Sequence, residues 1–207
     1  MSDINLNLIL AIFIGFGSTL IQSLTGFGLS IVSTPLFLMV YDPKQVVLIL
    51  QVICVVINIF FAIALRKNVD YRFLLILFIG SLLGQPLGLL IFQIAPNNIL
   101  KIFVSLIILF FLIIMQLNHK KITETTLKTG ITGVLSGILT TATSMGGPPL
   151  ILYLANANRD KVSMRATCIA YFAITNISAI IIFLMGNTDF TFAIEQSIYL
   201  LPFCFIG

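Results

Sequence analysis

Charge is what this chain has least of. Only 9% of its 207 residues are Asp, Glu, Lys or Arg, against roughly 25% in a soluble domain. So few polar groups cannot cover a surface that faces water, which excludes a soluble enzyme, a nucleic-acid binder and a disordered regulator. Histidine is nearly missing. The one present, His119, sits beside Lys120 and Lys121, so no histidine-based metal or general-base centre is expected. Cysteine is sparse and unpatterned. Cys54, Cys168 and Cys204 each lie in an apolar run, and an odd count without spacing fits neither a disulfide framework nor a zinc site. No cleavable leader is expected, because residues 1–5 carry Asp3 and no positive stretch. What is abundant is apolar: 59% of residues are hydrophobic and the mean hydropathy is +1.14. The solvent of this chain is lipid.

The few charges mark out the spans. Uncharged stretches run 4–41, 45–65, 73–100, 102–118, 129–158 and 166–188. A spanning helix needs about 20 apolar residues, so 46–65, 73–95, 102–117 and 166–185 each predict one helix. Stretches 4–41 and 129–158 are too long for one helix, and glycines break both: Gly26 and Gly28 in the first, Gly146 and Gly147 with Pro148 and Pro149 in the second. In lipid every freed backbone group must find a partner. The broken stretches therefore predict helical hairpins whose tips are buried in protein or line a cavity.

The two broken stretches read as copies. A shift of 118 residues pairs Gly15 with Gly133, Ser18 with Ser136, Thr25 with Thr143, Gly28 with Gly146, Asp42 with Asp160 and Asn58 with Asn176. After one residue of slippage, the run from Asn68 to Phe73 meets the run from Asn187 to Phe192. The fold class expected is an all-α polytopic membrane protein, a single transmembrane domain over 1–207. It is built of two repeats, 4–117 and 129–207, each a broken hairpin followed by transmembrane helices. Residues 80–117 have no counterpart, so the second copy is expected to lack two helices, on the order of 40 residues.

Basic residues set the expected orientation. Arg66, Lys67 and Arg72 share one loop, Lys120, Lys121 and Lys128 a second, and Arg159, Lys161 and Arg165 a third. Two crossings separate the first two loops. If the second hairpin returns to its starting side, nine of the eleven Lys and Arg face the cytoplasm, leaving Lys44 and Lys101 outside. Three crossings then lie between the hairpins, which makes the repeats inverted in topology. One observation pulls the other way: residues 4–24 form a helix about 30 Å long, enough to span alone. The location expected is a cell membrane, crossed several times (the inner membrane if the source is bacterial), with lipid and a small anion as partners.

Inverted repeats with broken helices place substrates near the midplane, between the repeats. A helix beginning after Gly28 or Gly147 offers unsatisfied N–H groups and the positive end of its dipole. Pro148 and Pro149 suit a first turn, where a missing N–H costs nothing. Around the tips lie Ser18, Gln22, Ser23, Thr25 and Ser30, and in the second copy Ser136, Thr140, Thr141, Thr143 and Ser144, with no carboxylate in either hairpin. Such neutral donors suit a small oxyanion and suit a metal cation poorly. No cofactor and no nucleic acid are called for. The candidate substrate-binding set is Gln22, Thr25, Gly26, Gly28, Ser30, Asn58, Thr140, Thr143, Ser144, Gly146, Gly147, Asn176 and Arg165.

Several residues have two readings. The glycines serve either substrate or packing, and the hydroxyls either ligand or their own helix backbone. Arg165 is an anion ligand or a positive-inside anchor. Glu195 is the one carboxylate well inside a late segment, a proton-coupling group or an interfacial side chain close to Asp189. Gln51, Asn58, Gln85, Asn156 and Asn176 supply pocket residues and interhelical hydrogen bonds worth about 1 kcal/mol each. Gly80, Gly84 and Gly88, spaced by four, form a close-packing face, within the bundle or in a homodimer. Cys168 reads as a buried structural thiol.

The run Gly26-Phe27-Gly28, the run Gly146-Gly147-Pro148-Pro149-Leu150 and the later Arg165-Ala166-Thr167, together with the duplicated layout, resemble the TauE/SafE family of sulfite exporters and 4-toluene sulfonate uptake permeases. The first motif has Phe27 and Leu29 where many members carry a longer glycine run. The resemblance implies membrane transport of small sulfur-containing anions such as sulfite, sulfonates or sulfoacetate. Two other classes stay open. A non-transporting membrane scaffold subunit would need neither duplicated hairpins nor hydroxyl-lined breaks. An intramembrane enzyme would need a Ser/His or paired-Asp constellation, which is not present.

Overall fold

A computed structural model describes residues 2–26, 29–117, 124–155 and 160–206. Nearly all of them are helical: α1 Ser2–Thr25, α2 Leu29–Phe37, α3 Pro43–Leu65, a single 3-10 turn Arg66–Asn68, α4 Tyr71–Ile94, α5 Asn97–Leu117, α6 Thr126–Thr143, α7 Gly147–Ala155, α8 Lys161–Met185 and α9 Thr191–Ile206. No strand occurs among the described residues. Among the described residues four segments, Leu8–Thr25, Pro43–Asn68, Tyr71–Ile94 and Lys161–Met185, are long and apolar enough to cross a membrane.

The four helices read between charges are present, but they begin two to five residues earlier than the charges implied. Asp42, Asp70 and Asp160 flank the first turns. The Asp70 carboxylate accepts from the Phe73 N–H at 3.1 Å, and that of Asp160 from the N–H groups of Val162 and Ser163 at 3.1 and 3.0 Å. At α3, the Asp42 N–H donates to the Gln45 side chain at 3.2 Å and Pro43 occupies the first turn, where it costs no hydrogen bond. Such starts hold Lys44, Arg72, Lys161 and Arg165 inside helices, so charge marks the interface rather than the helix end. A fourth aspartate, Asp189, accepts from the N–H and hydroxyl of Thr191 at the head of α9.

Both long broken stretches are divided where the glycines stand. α1 ends at Thr25 and α6 at Thr143; α2 starts at Leu29 and α7 at Gly147; α3 starts at Pro43 and α8 at Lys161. Each pair of boundaries differs by 118 residues. Packing shows the same pairing: α4 lies on α6 and α9 on α1, α4 on α8 and α9 on α3, while α3 lies on α8 and α2 on α7.

The α4–α6 contact is the tightest. A Cβ added at Gly80, Gly84 or Gly88 would run into backbone of Gly130, Val134 and Ile138, and one added at Gly133 or Gly137 into Leu77 and Ser81. The face spaced by four is thus covered inside the bundle. Contact positions rise together along both helices, from Leu77 with Gly133 to Gln85 with Thr141, so α4 and α6 run parallel. α8 runs parallel to α4 as well. The Asp70 N–H donates to the Thr167 hydroxyl at 2.9 Å, the Gln85 amide to the Thr175 carbonyl and Ser178 hydroxyl at 2.8 Å, and the Gln93 amide to the Gly186 carbonyl at 3.0 Å. α9 runs with α3, from Ser197 beside Ile49 to Phe205 against Phe60. Arg66, Arg72, Lys161 and Arg165 therefore share one end of the bundle. Lys44 sits at the other, over the Phe92 ring and donating to the Gln93 carbonyl at 3.2 Å.

Candidate functional site

At the first break the chain turns on Gly26, whose φ of +87° is a left-handed value that glycine adopts without strain. The Gly26 N–H donates to the Gln22 carbonyl at 2.7 Å, closing α1. The side chain of Gln22 then works in two directions. Its oxygen accepts the first N–H of α2, from Leu29, at 3.1 Å, and its NH2 donates to the Asn58 side-chain oxygen at 2.5 Å. One buried amide thus ties the start of the short helix to α3.

The second break is built differently. Ser144 takes the left-handed turn, at φ 60°. Its N–H donates to the Thr140 carbonyl at 3.0 Å and that of Met145 to the Leu139 carbonyl at 3.3 Å, the pairing that ends many helices. The Ser136 hydroxyl donates to the Gly146 carbonyl at 2.6 Å. A Cβ at Gly146 would overlap the Thr140 hydroxyl and stand 3.0 Å from the Ser136 carbonyl oxygen, so this position has no room for a side chain. From α3, the Gln51 NH2 donates to the Thr140 carbonyl at 2.7 Å.

Between the breaks lies one small cavity. Its walls come in pairs related by the shift of 118: Asn58 with Asn176, Cys54 with Phe172, Gln22 with Thr140, and Leu29 with Gly147. Ser30, Ile31, Ser144 and Gly146 complete it. None of these residues carries a formal charge. The space open to the centre of a water molecule is about 10 Å³, room for about one water. An oxyanion of four or more heavy atoms is larger, so the cavity is too narrow for one in this conformation. Larger hollows exist, such as a cleft of about 350 Å³ beside Asp70, Arg72 and Glu124, but they open on the surface away from both breaks. Enclosure by both helix breaks, not size, singles out the small cavity.

Of the residues expected from the sequence, Gln22, Ser30, Asn58, Thr140, Ser144, Gly146, Gly147 and Asn176 line this cavity together. Gly28 lies outside the described residues, as does Asn156. Gly26 is at the turn itself, beneath Arg165, whose Cγ would stand 2.7 Å from an added Cβ. The Arg165 guanidinium donates to the Ser23 carbonyl, one of the last carbonyls of α1, and its buried Nε has no partner among the described residues. Thr25 is exposed and donates to the Ile21 carbonyl at 2.8 Å. Thr143 is buried, donates to the Leu139 carbonyl at 2.8 Å and accepts from Met145 at 3.3 Å. Glu195 is exposed on α9. Sequence reasoning missed the walls Leu29, Ile31, Cys54 and Phe172. A signal for two of them existed, since Cys54 and Phe172 each precede a paired asparagine by one helical turn.

Among the described residues no group of three His, Cys, Asp or Glu side chains converges as a metal site would require. No curated protein and no solved structure matches the chain. A family model, sulfite exporter TauE/SafE, matches residues 11–207, which takes in both helix breaks and every residue of the cavity. Apolar helices long enough to span, a duplicated pattern of broken helices and this match agree with one another, and the chain belongs to the sulfite exporter TauE/SafE family of membrane transporters.

Proposed function

We propose that this protein carries a small sulfur oxyanion, sulfite or an organic sulfonate such as sulfoacetate, by alternating access between two inverted repeats. The observation that carries this reading is the narrow cavity lined by both helix breaks and by the equivalent Asn58 and Asn176. Support for the inversion comes from direction. α3 and α8 are equivalent by the shift of 118, yet α8 runs with α4, whose start follows the end of α3, while α9 runs with α3. A cavity between inverted halves is exposed to one side when the halves tilt one way and to the other when they tilt back.

The chemistry of the walls favours an anion. α2 and α7 start at the cavity, presenting the positive ends of their dipoles. Asn58, Asn176, Ser144 and Ser30 add neutral donors, while the Thr140 hydroxyl is committed to the Ser136 carbonyl at 2.8 Å, and no carboxylate opposes them. Arg165, which bonds the α1 terminus at the basic end, stands where an anion enters or leaves. The basic loops are assigned to the cytoplasm on the positive-inside preference.

The test is uptake into proteoliposomes, with sulfite, sulfoacetate, an aromatic sulfonate, sulfate and acetate compared. Saturable flux of a sulfite or sulfonate, reduced at least tenfold in Asn58→Leu and Asn176→Leu, is the expected result. Flux of none of the five, with folded protein in the vesicles, removes the assignment.

A further inference from the structure

The same break that offers donors to an anion also leaves acceptors over. Gln51 is completely buried on α3, and its NH2 is committed to the Thr140 carbonyl at 2.7 Å. Turning the amide over would set its oxygen against that carbonyl, two acceptors facing each other, so the assignment is fixed by chemistry. What remains free is Gln51 Oε1, buried and without a partner among the described residues. The Ser144 hydroxyl, 3% exposed and part of the cavity wall, is unpartnered in the same way. Both side chains belong to groups that bond one atom, the Thr140 carbonyl oxygen, which also accepts the Ser144 N–H at 3.0 Å. They stand at the end of α6, where the dipole is negative and the carbonyls of the last turn lie beyond the capping bonds made to Leu139 and Thr140. Pro148 and Pro149, which follow at the head of α7, supply no N–H to them.

An amide oxygen cannot serve an anion. It needs a donor or a cation. The ligands at hand are a side-chain amide, a hydroxyl and backbone carbonyls, all neutral oxygens, which suit a hard monovalent ion rather than a transition metal. Helix ends of this kind coordinate sodium in broken-helix transporters. No carboxylate lines the cavity, and Glu195 is exposed on α9.

We propose that a sodium ion binds at the end of α6, held by Gln51 Oε1, the Ser144 hydroxyl and the terminal carbonyls of α6, and that its occupation strengthens anion binding at the neighbouring head of α7. Cation and anion then sit at opposite poles of one helix break. The second half of this statement rests on the anion reading above; the site itself does not.

The experiment is a melting-temperature matrix on the purified full-length protein in detergent at constant ionic strength. Choline, potassium and sodium chloride are compared, each with and without sulfite. Sodium is expected to raise the melting temperature above that in choline and potassium, and to lower the half-maximal sulfite concentration at least about fivefold. Ser144→Gly removes the hydroxyl while suiting the left-handed backbone, and it should melt near the parent in choline yet lose the sodium response. Gln51→Leu should lose it too. Equal melting in all three salts overturns the site and leaves a bound water as its occupant. A sodium response that survives in both Ser144→Gly and Gln51→Leu overturns it as well. Sulfite stabilisation that is identical in choline and sodium removes the cation and leaves the anion reading standing. Sodium stabilisation with no response to sulfite does the reverse.

Discussion

Asp189 is fully exposed, yet its carboxyl is held below the ordinary carboxylate value by hydrogen bonds from the Thr191 hydroxyl and N–H. Those bonds favour the ionised form, so whatever stability they lend is present above the unfolded pKa of about 3.9 and is lost as pH falls through the lower folded value. Thr191→Ala should raise the Asp189 pKa, read by carbon NMR of labelled aspartate, while Thr191→Ser should leave it low. Gly26 makes the sharper case for one residue. Its φ of +87° costs an L-residue about 1–2 kcal/mol, and a Cβ would press on Arg165 at 2.7 Å. Gly26→Ala should therefore lower the melting temperature in detergent. Gly17→Ala, on α1 with nothing within 4 Å, should leave it unchanged or raise it slightly.

Among elements, α4 and α6 are fitted to each other through glycine on both sides. Added atoms at Gly84 meet backbone of Val134, which cannot swing aside as a side chain would. Gly84→Val should cost about 1–3 kcal/mol, as overpacking does. Gly130→Ala points its methyl into open space and should be neutral or stabilising by up to about 1 kcal/mol. Paired thermal melts of the two variants check this. The spacing of Gly80, Gly84 and Gly88 was legible in the sequence, but their partner was not, since a close-packing face reads the same towards α6 as towards a second copy. Helix starts were legible only to within five residues. A charge such as Lys161 or Arg165 looks like a boundary, although an aspartate cap one or more residues earlier sets the true start. Thr25 and Thr143, equivalent by the 118-residue shift, could not be told from ligands by residue type. Each hydroxyl bonds back to its own helix, which is a choice of rotamer that no spacing encodes.

At the scale of the whole molecule the two equivalent interfaces are unequal. α4 meets α6 along a face with glycines on both sides, whereas α1 meets α9 around Gly15 and Cys204. Packed backbone resists sliding and side-chain contacts repack more readily, so under the alternating access proposed above the halves should turn about α4–α6 and part along α1–α9. The cavity lay within reach of sequence reasoning through one equivalence, Asn58 with Asn176. Its other walls pair unlike residues, Cys54 with Phe172 and Gln22 with Thr140, and only the fold brings those together. The direction of turning can be tested with a bond that can be made and broken. A Cβ at Gly15 stands 2.9 Å from the Cys204 sulfur, close to the separation of about 3 Å across one end of a disulfide. In Gly15→Cys, mild oxidation should join α1 to α9 and stop sulfite flux in proteoliposomes, and dithiothreitol should restore it. Gly15→Ala, treated the same way, should be unaffected by oxidation. Full flux through the cross-linked protein would place the moving interface elsewhere and return α4–α6, despite its packing, to the part that moves.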